Sequence, residues 1–131
     1  MRRQYRKFLL SLAAVLALCG CASSGPAEGS SYGSIDDLVS AYVAAGGDCS
    51  NWEQTNVVTL AAESGACNSS TSLSTFSNQS DRDASVDNIK SLSGLIGGVV
   101  LLVGPNWITN SPDADQFRDE LGGTLIDSTK G

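Results

Sequence analysis

Apolar residues change their spacing several times along the chain, and each spacing predicts an element. Residues 8–18, FLLSLAAVLAL, form one uncharged run. Ile35, Leu38, Val39, Tyr42 and Val43 recur at helical spacing on one face. Ser34 precedes them with Asp37 three positions on, the pattern of a capping box, and Gly46-Gly47 ends the helix. Residues 57–62, VVTLAA, are rich in β-branched side chains and predict a strand, with Glu63-Ser64-Gly65 as a hairpin turn. A second, largely polar strand is expected from about Ala66 to Phe76, with Leu73 and Phe76 as its anchors. Val86, Ile89, Leu92, Leu95 and Ile96 predict a helix over residues 82–95, capped by Asp81 or Asp83 and closed by Gly97-Gly98.

The run VVLLV at 99–103 has no alternation, as a strand covered on both faces requires. Gly104-Pro105-Asn106 is turn chemistry, and Trp107-Ile108-Thr109 resumes extended structure, either as a hairpin partner or beyond a bulge. Ser111-Pro112-Asp113 starts a further helix with Phe117 and Leu121 on its apolar face. Gly122-Gly123 closes it, and Thr124-Leu125-Ile126 forms a last edge strand. This order, α-β-β-α-β-(β)-α-β, predicts a small α+β sandwich: a mostly antiparallel sheet with helices on one side, in a single domain over residues 34–131. About 90 residues bury only a modest core, so a covalent staple is expected.

The N-terminal third lacks such periodicity. Arg2, Arg3, Arg6 and Lys7 precede the run at 8–18, and small residues follow it. That succession reads as an export signal. The run is too short to span a bilayer, since eleven residues rise about 16 Å against a hydrocarbon core of about 30 Å. Leu18-Cys19-Gly20-Cys21 resembles the lipobox of bacterial lipoproteins, with Cys21 as the modified residue. The resemblance implies that residues 1–20 are removed and that Cys21 receives a diacylglyceryl thioether and becomes the mature N-terminus. It further implies a lipid-anchored protein on the extracytoplasmic face of the cell membrane. Arg2-Arg3 loosely resembles a twin-arginine signal, but Met1 and Arg6 depart from that motif, so the general secretory route is favoured. Residues 22–33, ASSGPAEGSSYG, are rich in Ser, Gly and Ala and predict a flexible tether of about 20 Å reach behind Cys21.

Removing the signal sharpens the charge. Four of the eight basic residues lie in residues 1–7, which leaves four against fourteen acids, a net of −10. So acidic a chain is a poor partner for nucleic acid and for anionic lipid; the charge reads first as solubility outside the cell, and the sharper reading is a cation-rich or basic partner.

Cys49 and Cys67 remain after processing, and an even pair in an exported domain reads as a disulfide. A redox role is disfavoured because the pair lacks the Cys-x-x-Cys spacing. The absence of His from the sequence removes Ser-His-Asp and Cys-His catalysis and leaves Cys19 and Cys21 without partners for a metal site. Asp81, Asp83, Ser85 and Asp87 mimic the start of a calcium loop, but Val86 and Leu92 stand where that loop needs Gly and Glu. Asp113, Asp115, Asp119 and Glu120 could supply the paired carboxylates of a glycan hydrolase, but such a run usually forms a solvated helix face, and nothing else in the chain suggests a saccharide cleft. Trp107 is expected in the core and Trp52 against the disulfide.

Cys49 and Trp52, Cys67, the polar strand to Phe76, LLVGPNW at 101–107 and Gly122-Gly123 together resemble a diffuse group of small actinobacterial lipoproteins and secreted proteins without assigned activity. The resemblance implies no catalytic residue and no cofactor. The expected function is a non-catalytic binding or shielding module at the cell surface, with an extracytoplasmic protein as a possible partner. A prophage-type superinfection exclusion lipoprotein is the alternative, and a carboxylate-dependent hydrolase a more distant one.

Overall fold

A computed structural model describes residues 28–130. The expected signal, the lipobox with Cys21, residues 22–27 of the tether and Gly131 lie outside the described residues. Three helices and six strands follow in the order α1 (Ile35–Ala44), β1 (Glu53–Gln54), β2 (Glu63–Asn68), β3 (Thr71–Thr75), α2 (Gln79–Ile96), β4 (Val100–Val103), β5 (Trp107–Asn110), α3 (Arg118–Leu121) and β6 (Thr124–Asp127). A 3-10 turn, Ala114–Phe117, runs directly into α3. The strands form one sheet in the order β1-β2-β3-β5-β4-β6, and every neighbouring pair is antiparallel.

The fold is therefore α+β with an antiparallel sheet and one disulfide, Cys49–Cys67. Its layering differs from the expected one-sided sandwich. Leu101 and Leu102 are adjacent in β4 and must point to opposite faces. Leu102 joins Ile35, Leu38 and Tyr42 of α1, Leu73, Trp107, and Phe117 and Leu121 of the α3 region. Leu101 joins Phe76, Val99, Ile108 and Val86 of α2. So α1 and α3 cover one face and α2 covers the other. Both leucines are fully buried, each contributing roughly 1.5–3 kcal/mol. An unbroken apolar run at 99–103 is what two covered faces demand.

Helix α1 forms as its pattern predicts, with the Asp37 amide donating to Ser34 Oγ at 3.2 Å. Helix α2 starts one turn earlier than expected. Asn78 caps it by accepting from the Asp81 amide at 2.8 Å, and its own amide group donates to the Asp81 carboxylate at 2.9 Å. Gly97 closes α2 at φ 84°, a left-handed conformation that glycine adopts without penalty.

The largest correction concerns residues 57–76. VVTLAA is a loop, not a strand, and Glu63-Ser64-Gly65 opens β2 instead of forming a turn. The expected long polar strand is two strands, β2 and β3, with Ser69-Ser70 between them. Cys67 is the extra residue of a bulge in β2, since Ala66 pairs with Ser72 while Asn68 pairs with Thr71. The bulge directs Cys67 into the α1-side core, where Cys49 meets it.

The domain also begins earlier than residue 34. Residues 28–33, assigned by composition to the tether, lie against the β4–β5 turn. Trp107 Nε1 donates to the Ser30 carbonyl at 2.7 Å. The Tyr32 amide donates to Asn106 Oδ1 at 2.9 Å, and Asn106 Nδ2 returns a bond to the Tyr32 carbonyl at 2.7 Å. A glycine-rich composition predicts freedom only where no partner waits, and the Asn106 amide and Trp107 indole supply partners here.

Candidate docking surface

The candidate chemical groups are spread over the surface. Asp113, Asp115, Asp119 and Glu120 are all exposed, and none lines any of three surface depressions of about 470, 420 and 150 Å³. Asp81, Asp83, Ser85 and Asp87 lie within one continuous helix, so they form no loop that could wrap a cation. Among the described residues, no three of His, Cys, Asp and Glu gather as metal ligands. Cys49 and Cys67 are bonded to each other and buried. Trp107 is fully buried, as expected. Trp52 is half-buried against the cluster that holds both cysteines, and its ring covers Gly65 so closely that a Cβ there would overlap it.

What the sequence does build is an uncharged apolar face, formed by α2 and the loop at 55–62. In α2, Val86, Ile89, Leu92 and Leu95 follow one another in steps of three. Each such step lags a full turn by about 60°. The series therefore walks around the helix, and Leu95 points about 180° away from Val86. Exposure rises accordingly: Val86 is 8% exposed, Leu92 56% and Leu95 83%, with Ile96 beside them at 68%. Only the first part of the expected apolar face meets the core; the rest faces solvent.

The loop adds to this face. Thr55 to Ala62 carry no charge, and Val57 and Leu60 are 77% and 41% exposed. Two residues of the loop are left-handed, Asn56 at φ 52° and Leu60 at φ 75°. For a leucine that conformation costs roughly 1–2 kcal/mol. Buried Ser64 in β2 holds the loop in this shape. Its carbonyl accepts from the amides of Thr55 (3.0 Å) and Asn56 (2.9 Å). Its amide donates to Asn56 Oδ1 at 3.0 Å, and its Oγ accepts from the Val58 amide at 3.2 Å. The loop is thus fixed by bonds to a strand, while its apolar side chains stay outside.

Between loop and helix runs a groove of about 420 Å³, lined by Val58, Thr59, Ser85, Asn88, Ile89 and Leu92, with Ser91 at its margin. Its walls offer apolar carbon together with hydroxyl and amide groups, and none of these side chains is ionisable. Such a surface suits a partner held by burial and neutral hydrogen bonds.

The approach of the chain is also fixed. Arg82, in the first turn of α2, donates to the carbonyls of Gly104 and Pro105, both at 2.8 Å, and pairs with Asp83. Glu28 lies at the same end, lining the small depression with Gln79, Arg82 and Gly104. From Arg82 to Leu95 the helix rises about 20 Å. The described chain therefore begins near one end of α2, and the exposed leucines lie toward the other.

Among the described residues, no helix is long and apolar enough to cross a membrane. No family model matches the chain, and neither a curated protein nor a solved structure matches it.

Proposed function

We propose that this protein is a lipid-anchored module on the extracytoplasmic face of the cell membrane, held through Cys21, that docks another protein without catalysing a reaction. The observation that carries the docking reading is the exposure of Val57 and Leu60 in the loop and of Leu92, Leu95 and Ile96 in α2, with Leu92 lining the groove between the two elements. Exposed apolar surface gathered on neighbouring elements marks sites of interaction. Here the left-handed Leu60 adds strain to the same surface, and strain of this sort accumulates where a surface serves a function. The anchor reading rests on LALCGC at 16–21.

Hydroxyl-radical footprinting tests the docking reading. The rate of modification is compared between native membranes and the purified protein. Protection in membranes of Val57, Leu60, Leu92, Leu95 and Ile96, with Asp119 and Glu120 unchanged, is the expected result. Equal modification of the five apolar residues in both preparations contradicts it.

A further inference from the structure

We propose that the groove between α2 and the 55–62 loop receives a basic amphipathic segment: apolar side chains on one face, lysine or arginine on its flanks. This rests on the docking reading above and names the chemistry of the partner. The groove walls carry no charge, so the contact itself must be apolar and neutral-polar. The surroundings decide what can approach. Glu53 stands at one root of the loop, and Asp81 lies at the start of the helix flank that carries Leu92.

The cations that would offset them are elsewhere. Arg82 is engaged by two carbonyls and Asp83, and Lys130 pairs with Asp127. Lys90 leaves α2 about 160° around the helix from Leu92. Arg118 belongs to α3, on the opposite face of the sheet. Residues 28–130 hold all fourteen acids and only four basic residues, a net of −10. That field repels a second copy of this chain, an acidic segment and an anionic bilayer, and it draws a basic segment toward the face. A groove lined along α2 from Ser85 to Leu92, with anchor side chains at Ile89 and Leu92, suits a helical or extended segment.

The test uses the purified full-length protein in nanodiscs of zwitterionic lipid. The probes are a fluorescent Leu/Lys amphipathic peptide, its Leu/Glu counterpart, and a Leu/Lys peptide scrambled to destroy its apolar face. Fluorescence anisotropy is read at about 0.05 and about 0.5 M salt. The expected result is saturable binding of the Leu/Lys peptide, at least tenfold tighter than either control and weakened by salt. The paired change Leu92→Ser and Leu95→Ser, and separately Asn88→Lys, each weaken it at least tenfold. Both variants alter exposed side chains, and an unchanged melting temperature verifies their fold.

Equal binding of the Leu/Lys and Leu/Glu peptides overturns the basic assignment while leaving the docking reading standing. Binding that survives both variants shows attraction to the general field alone and overturns the site. Absence of binding overturns the inference, while footprinting protection in native membranes still tests docking independently. A dimer in sedimentation that the Leu92/Leu95 variant abolishes assigns the groove to a second copy and equally overturns it.

Discussion

Removing the Cys49–Cys67 bridge is expected to lower the melting temperature by about 12–24 °C. The two residues are 18 apart in sequence. Releasing a closed loop of that length returns about 3 kcal/mol of entropy to the unfolded chain. For a domain of this size each kcal/mol shifts the midpoint by about 4–8 °C. The structure adds a local consequence. The closed loop contains β1 and the whole of residues 55–62, and β1 is a two-residue strand paired only with β2. Without the bridge, the Thr55, Asn56 and Val58 amides depend on Ser64 alone for order. The paired variant Cys49→Ala and Cys67→Ala is compared with the native protein by calorimetry and by amide hydrogen exchange. The expected picture is a lowered midpoint together with faster exchange at those three amides. A midpoint within about 3 °C of the native one, or exchange at 55–58 that does not change, refutes the view that the bridge holds the docking loop.

Thr109→Val is expected to stabilise the protein by up to about 1 kcal/mol in denaturant unfolding, because Thr109 is fully buried and its Oγ1 has no partner among the described residues. Gly104→Ala is expected to destabilise by several kcal/mol on the same assay, roughly the cost of overpacking a core, since the Trp107 indole occupies the space of the new Cβ. Burial raises the pKa of Tyr32 above its ordinary 10.0, so its neutral form is favoured in the fold. The corresponding stability is fully present below pH 10 and is lost as pH rises through the raised value. Tyrosinate absorbance and hydrogen exchange at Tyr32 should change together in that range. Asp127 is held below the usual carboxylate range by hydrogen bonds from the Thr129 side chain and amide, with a smaller contribution from Lys130. Its contribution is present above the unfolded carboxylate pKa and disappears as pH falls through the lowered value; Thr129→Val, which removes the hydroxyl and keeps the amide, should reduce the lowering in an NMR titration.

The class of the fold was legible in residue order, and so were most helix ends, because caps and glycines act locally. Ser34 and Gly97 do in the structure what their chemistry dictates. The expected one-sided layering was wrong although VVLLV carried the contrary signal: a run without alternation needs cover on both faces, and α2 supplies the second cover. Residues 57–76 misled for a physical reason. Strand propensity describes fit to a half-buried pleated surface, not an obligation to form one. Val57 and Val58 find no strand partner, whereas the short hydroxyl side chains of β3 fit between two neighbours and bury. Thr71, Ser74 and Thr75 are each about 5% exposed or less, and Thr71 Oγ1 is satisfied by Ser111 Oγ at 3.2 Å. The exposed face of α2 was present in the spacing of Val86, Ile89, Leu92 and Leu95. Three-residue steps rotate away from any fixed core, so the helix could not bury all four. The Ser64 hub had no sequence signal, because its bonds depend on a loop shape that only the tertiary fold defines.

The central claim is that a lipid at Cys21 holds this docking domain at the membrane. The intact mass of the native protein, with and without reductant and alkylation, tests it most directly. The account predicts a mass that begins at Cys21 and carries acyl chains, with two further thiols reacting only after reduction. An unacylated mass that still includes residues 1–20 would contradict the anchor.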